Sequence, residues 1–148
     1  MTKMLHLITR FFGAVIAREP GLADVAHVRD VLTTDEMKMW GAMSVADRSH
    51  SLIVLDRYMN ERRDATRAEV AGVLLHDVGK NASGLGTFMR VVATVAGPRT
   101  KRMRTYHDHE RIGAEMLRAA ASDPTTVAMV EATAPEDIMC ALRRADNI

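Results

Sequence analysis

Residues 74–80 read Leu-Leu-His-Asp-Val-Gly-Lys. The apolar residues ahead of the His76-Asp77 pair, Val70, Val73, Leu74 and Leu75, recur at helical spacing. Thr66-Arg67-Ala68-Glu69 in front of them has the form of a capping box, so a helix is expected to open there and end at His76-Asp77. Gly79 reads as its stop, because glycine alone enters left-handed backbone space at no steric cost. Imidazole and carboxylate are metal ligands of different hardness. Adjacent residues on a helix point about 100° apart, so His76 and Asp77 can share an ion only near a helix end or from its flank; Gly79 provides such an end. The remaining ligands then have to come from neighbouring helices. His50 upstream and Asp146 downstream each fall on such a helix.

Working outward, Ser44-Val45-Ala46-Asp47 resembles a capping box with Asp in place of Glu. It should start a long helix to about residue 62, with Leu52, Val54, Leu55 and Tyr58 at core spacing and His50 inside it. Ahead of it, the pattern gives a first helix over about 3–18, a short one over about 23–31, and a brief turn over about 34–40. Behind the 74–80 stretch, a helix is expected over about 85–96, then a basic loop at 99–104, then a helix over about 106–121 that carries His107, His109, Glu110 and Leu117. Asp123-Pro124 places a cap before proline at the first helical position. Ala134-Pro135-Glu136-Asp137 opens a last helix that carries Ile138, Leu142 and Asp146. No stretch alternates as a strand. The fold class expected is all-α, a single-domain bundle of about six to eight helices. Its motif-bearing core spans about 44–147, with helices in 3–42 packed on it.

Composition agrees. At 148 residues the chain fits one domain with a real core. Hydrophobic residues at 47% and charged residues at 26% are the globular balance, and only 4% aromatics favours helix packing over a β-sandwich. A net charge of +1 gives no global attraction to a nucleic acid duplex. No apolar run reaches the roughly 20 residues of a membrane span. The apolar first helix, interrupted by His6 and Arg10, is expected to pack on the domain and leaves a peripheral membrane contact or a homodimer open. The lone cysteine, Cys140, lies in an apolar run and reads as a buried small hydrophobe; it points to a reducing, cytoplasmic setting. Trp40 reads as a packing anchor.

The ordered set His50, His76-Asp77 and Asp146 resembles the HD superfamily of metal-dependent phosphohydrolases, over about two thirds of the chain. Arg48-Ser49-His50-Ser51 is similar to the family's first-His helix, and 74–80 matches its His-Asp-x-Gly-Lys form. His109-Glu110-Arg111-Ile112-Gly113-Ala114 resembles the segment in which a His precedes a Gly by four residues. The Ala145-Asp146 pair resembles the closing segment. The resemblance implies an all-α fold and one divalent transition-metal ion (Mn, Fe, Co, Ni or Zn) ligated by His50, His76, Asp77 and Asp146. It implies hydrolysis of a small-molecule phosphate ester, a nucleotide above all, by a phosphatase or phosphodiesterase. Asp77 would ligate the ion and orient the attacking water. Lys80 would reach a substrate phosphate, or else be a surface lysine. His109 is either a further ligand or a general acid for the leaving oxygen. Arg48 is a weaker candidate for phosphate, because it points to another helix face.

Members with two ions usually carry a further His before the last ligand. None lies between Glu110 and Ala145 here, and the Gly-Tyr-Pro motif of the cyclic-dinucleotide phosphodiesterases is absent. Glu131 or Glu136 are the available substitutes. One ion is therefore expected, a second being weak. The other function class is a non-catalytic HD module that binds a nucleotide or a protein partner in regulation.

Overall fold

The structure is a computed structural model that describes residues 18–83 and 108–147, with the backbone alone for 81–83. The described residues form seven α-helices and a 3-10 helix, with no strand. They are α1 (Leu22–Val31), α2 (Thr34–Ala42), α3 (Val45–Glu61), α4 (Arg67–Leu75), the 3-10 helix (Val78–Ser83), α5 (His109–Ala119), α6 (Pro124–Val130) and α7 (Glu136–Asp146). The all-α expectation holds. The helices expected at 3–18 and 85–96, the loop at 99–104 and His107 lie outside the described residues.

The caps explain the boundaries. Ser44, Thr66 and Asp123 each accept a backbone N–H in the first turn of α3, α4 and α6. The brief turn expected at 34–40 is a full helix, α2, because Thr33 and Glu36 form a reciprocal capping box there. At Thr66 only half a box forms. Glu69 turns away to accept from Tyr58 Oη at 2.7 Å and Arg62 Nε at 2.9 Å, which ties α3 to α4.

Helix α4 is the centre of the bundle. Every residue from Glu69 to Leu75 is buried, as expected of a helix surrounded on all sides. α3 packs on it with Ser51, Val54, Leu55 and Tyr58, the i, i+3, i+4, i+7 stripe. α2 is anchored by Trp40, whose Nε1 donates to Ser51 Oγ at 3.1 Å. It is also anchored by Glu36, fully buried, which accepts from Arg67 Nη2 at 2.9 Å. Burial pulls the Glu36 carboxyl up, but the Thr33 amide, Ser122 and Arg67 together hold it below the usual carboxylate range. α6 approaches α4 at Gly72, where an added Cβ would meet Met129 Sδ at 2.6 Å.

Two sequence expectations are corrected. Gly79 is not a left-handed stop: positive φ among the described non-glycine residues occurs only at Ala121 and Ala132, and Gly79 itself lies in the 3-10 helix that continues from α4. Its role is close approach. A Cβ there would fall 1.8 Å from the His109 carbonyl oxygen and 2.8 Å from Gly113 N, so the 3-10 helix touches the backbone of α5. Gly113 is small for the same reason, its Cβ position lying 3.2 Å from Gly79 N. Cys140, expected in the core, is only partly buried, with its Sγ 3.0 Å from Glu136 Oε1 on the polar side of α7. Its neighbours Met139, Ala141 and Leu142 form the buried face.

Gly79→Ala should destabilise the protein by about 3 kcal/mol, because the colliding atom is backbone and cannot swing aside. Urea unfolding checks this; an unchanged midpoint would show that α5 does not contact the 3-10 helix this closely.

Candidate metal centre

Three elements bring the candidate ligands together. α3 supplies His50, the end of α4 supplies His76 and Asp77, and the last residue of α7 is Asp146. His76 is the C-cap of α4 with helical φ and ψ, and Asp77 follows in the tight turn before the 3-10 helix. At this helix end the two side chains still approach each other, His76 Nε2 lying 3.6 Å from Asp77 Oδ2.

One ligand atom each from His50, His76 and Asp77 lies within 4.8 Å of the others. Asp146 joins them: its Oδ1 is 2.6 Å from His50 Nε2 and 3.5 Å from His76 Nε2. His76 Nε2 is 3.6 Å from Asp77 Oδ2. Ligand bonds of about 2.1 Å place neighbouring donors roughly 3.0–3.5 Å apart around one ion. The two distances from His76 fit that spacing; His50 and Asp146 are at hydrogen-bond length and would part slightly. Asp146 thus meets both histidines, while the cluster able to hold an ion consists of His50, His76 and Asp77.

His76 gives the most specific signal. Its Nδ1 is 2.6 Å from the Val73 carbonyl, which can only accept, so Nδ1 carries a proton. Its Nε2 is buried and makes no well-formed hydrogen bond, facing instead the Asp146 and Asp77 carboxylates at 3.5 and 3.6 Å. A buried polar atom without a well-formed hydrogen bond is costly, and a backbone carbonyl on the far nitrogen is the usual support of a metal-ligating histidine. His50, His76 and Asp77 form a cluster that can hold a metal ion. The Val73 support was missed in the sequence, although its place three residues before His76 on one helix is the signal for it.

Lys80 is not a surface lysine. It is buried, and its Nζ donates to Asp77 Oδ2 at 2.6 Å. The i, i+3 spacing of Asp77 and Lys80 could have indicated this. His109, at the start of α5, puts Nε2 3.8 Å from Asp77 Oδ1. That is beyond hydrogen-bond reach but borders the cluster. Arg48 is not at the site. It pairs with Glu19 at 2.6 Å and its guanidinium lies over the Trp40 ring, 5.7 Å from the centroid. Glu131 and Glu136 are engaged elsewhere, with Arg118 and Arg143, so neither replaces the absent histidine.

Exposure grades across the cluster. Asp77 and His76 form its floor at 7% and 10%, and Asp146 its rim at 34%. Burial pulls the His76 imidazole down, but Asp77 and Asp146 outweigh it and raise it to about 9. Burial works against the Asp77 carboxylate too, yet Lys80 and His76 hold it well below the usual range. Asp146 is likewise lowered against its burial by His50 and His76. Comparison with family models, curated proteins and solved structures finds no match.

These shifts set a pH profile for chelator-treated protein. His76, raised above 6.5, contributes stability that is complete below pH 6.5 and is lost as pH rises through about 9. Asp77 and Asp146, lowered from 3.8, contribute stability present above pH 3.8 and lost on further acidification. The unfolding free energy from urea titration should therefore decline between pH 6.5 and 9, by at most about 3 kcal/mol, and His76→Gln should flatten that decline. An equally steep decline in the variant would contradict the assignment.

Proposed function

We propose that this chain is a metal-dependent phosphohydrolase of the HD type, a phosphatase or phosphodiesterase acting on a nucleotide or related phosphate ester. The observation that carries the reading is the buried Nε2 of His76, braced from behind by Val73 and facing Asp77 and Asp146. The order of the four sequence segments supports the same reading. His50, His76, Asp77 and Asp146 would hold one divalent ion, and imidazole with carboxylate suits Mn, Fe, Co, Ni or Zn. Such an ion supplies Lewis acidity, polarising a phosphoryl oxygen and acidifying water.

The chain's own groups do the rest. Asp77 has Oδ1 on the side of His109, where it would accept a hydrogen bond from the attacking water and orient it. His109, partly exposed and bordering Asp77, would donate a proton to the leaving oxygen or serve as a further ligand. Lys80 supplies positive charge where a phosphoryl group gains negative charge. Asp146, a third exposed, is the most solvent-accessible of the four expected ligands.

A second reading is a regulatory module that binds a nucleotide or protein partner without turnover. The occupation of Glu131 and Glu136 by arginines favours it, since no further acid completes a second ion site among the described residues.

The test is metal analysis after expression with Mn, Fe and Co supplied, then a screen on nucleotides and generic phosphate esters. Asp77→Ala should lose bound metal and lower turnover by at least about 100-fold, since even indirect metal contacts carry 10–100-fold, with helical content kept. His109→Gln should lose turnover, and should keep the metal where His109 is the acid. Metal without turnover on any ester selects the binding module; full activity in Asp77→Ala removes the metal mechanism built on Asp77.

A further inference from the structure

The two oxygens of Asp77 serve different neighbours. Oδ1 faces His109. Oδ2 lies 3.6 Å from the buried His76 Nε2 and also accepts from Lys80 Nζ at 2.6 Å. The oxygen that closes the cation cluster with His76 is thus the one that an ammonium already holds. Lys80 and Asp77 are both largely buried, at 11% and 7% exposure, so solvent does little to screen a second positive charge from the first. A divalent ion carries twice the charge of the ammonium and binds imidazole lone pairs as well as carboxylates. The lysine side chain is a flexible four-carbon stem able to move its charge.

We propose that Lys80 and a divalent ion compete for Asp77 Oδ2, so that loading the cation releases the ammonium and makes it available to an anionic ligand. The proposal rests on the cluster being a cation site. It gives the site an order of events: cation first, anion second. Asp77 and Asp146 together neutralise a divalent ion, so the displaced Lys80 leaves the site with net positive charge, which a phosphate ester meets and a neutral molecule does not. Lys80 is thereby both the guard of Asp77 and the sensor that reports its occupation.

The experiment is acetylation of the full wild-type chain with an N-hydroxysuccinimide ester, read residue by residue by mass spectrometry, in chelator and in saturating Mn(II). Lys38, 72% exposed and far along α2, is the internal reference. Lys80 acetylation should rise several-fold with Mn(II) while Lys38 stays constant. Calorimetry of Lys80→Met, which keeps the stem and removes the charge, should show Mn(II) bound at least tenfold more tightly than by the wild type. If the variant does not fold, the labelling of the wild type decides. Mn(II) binding with unchanged or reduced Lys80 acetylation, or a variant that binds Mn(II) no more tightly, overturns the competition and leaves the cation site standing. Failure of the wild type to bind Mn(II), Co(II) or Zn(II) overturns the cation site and the competition with it.

Discussion

A carboxylate cannot be buried at the end of an apolar helix unless positive charge meets it there. Asp77 stands at the end of α4, where every residue from Glu69 onward is buried, and is itself only 7% exposed. Desolvation alone would drive it to its neutral form. Lys80 from the 3-10 helix and His76 beside it reverse that, and His109 closes the remaining side. The cost of the buried charge is offset locally, and the offset dictates which elements must converge. α3 and α7 meet through His50 and Asp146, and α5 is pressed down on the 3-10 helix. Such a cluster adds little to stability compared with an apolar core of the same volume.

The scaffold holds this geometry by two means. Polar ties lock the inner helices: Tyr58 and Arg62 on Glu69, Arg67 on Glu36, and Thr126 Oγ1 on the Ala68 carbonyl at 2.8 Å. Glycine contacts set the distances: Gly72 lets Met129 of α6 against α4, and Gly79 with Gly113 lets α5 touch the 3-10 helix. The second contact fixes where His109 begins its helix, and so how far its ring stands from Asp77. Among the described residues no helix is long and apolar enough to cross a membrane.

Much of this was legible in the residues. Helix starts are local chemistry, and Ser44, Thr66 and Asp123 announced theirs through side chains that cap within a turn. The four ligand candidates were legible because the cluster is built from rare residue types at helix ends and faces. Helix ends were less so. α5 and α6 close with Ala121 and Ala132 at positive φ, where a glycine would have been the expected sign. Gly79 was misread because the need for a missing side chain came from α5, some thirty residues away in sequence. Cys140 was misread because three buried neighbours made the run look apolar, whereas its own position faces Glu136 and Arg143. The burial of Lys80 depended on Asp77 being inside, a tertiary fact that spacing hinted at without deciding.

The central claim is that one divalent ion sits where His50, His76, Asp77 and Asp146 meet. Anomalous diffraction from crystals of the Mn- or Co-loaded protein tests it most directly. The account predicts a single strong peak within about 2.0–2.3 Å of donor atoms from both histidines and both acids. A peak held by other residues, or none at this cluster in crystals shown to contain the metal, would contradict it.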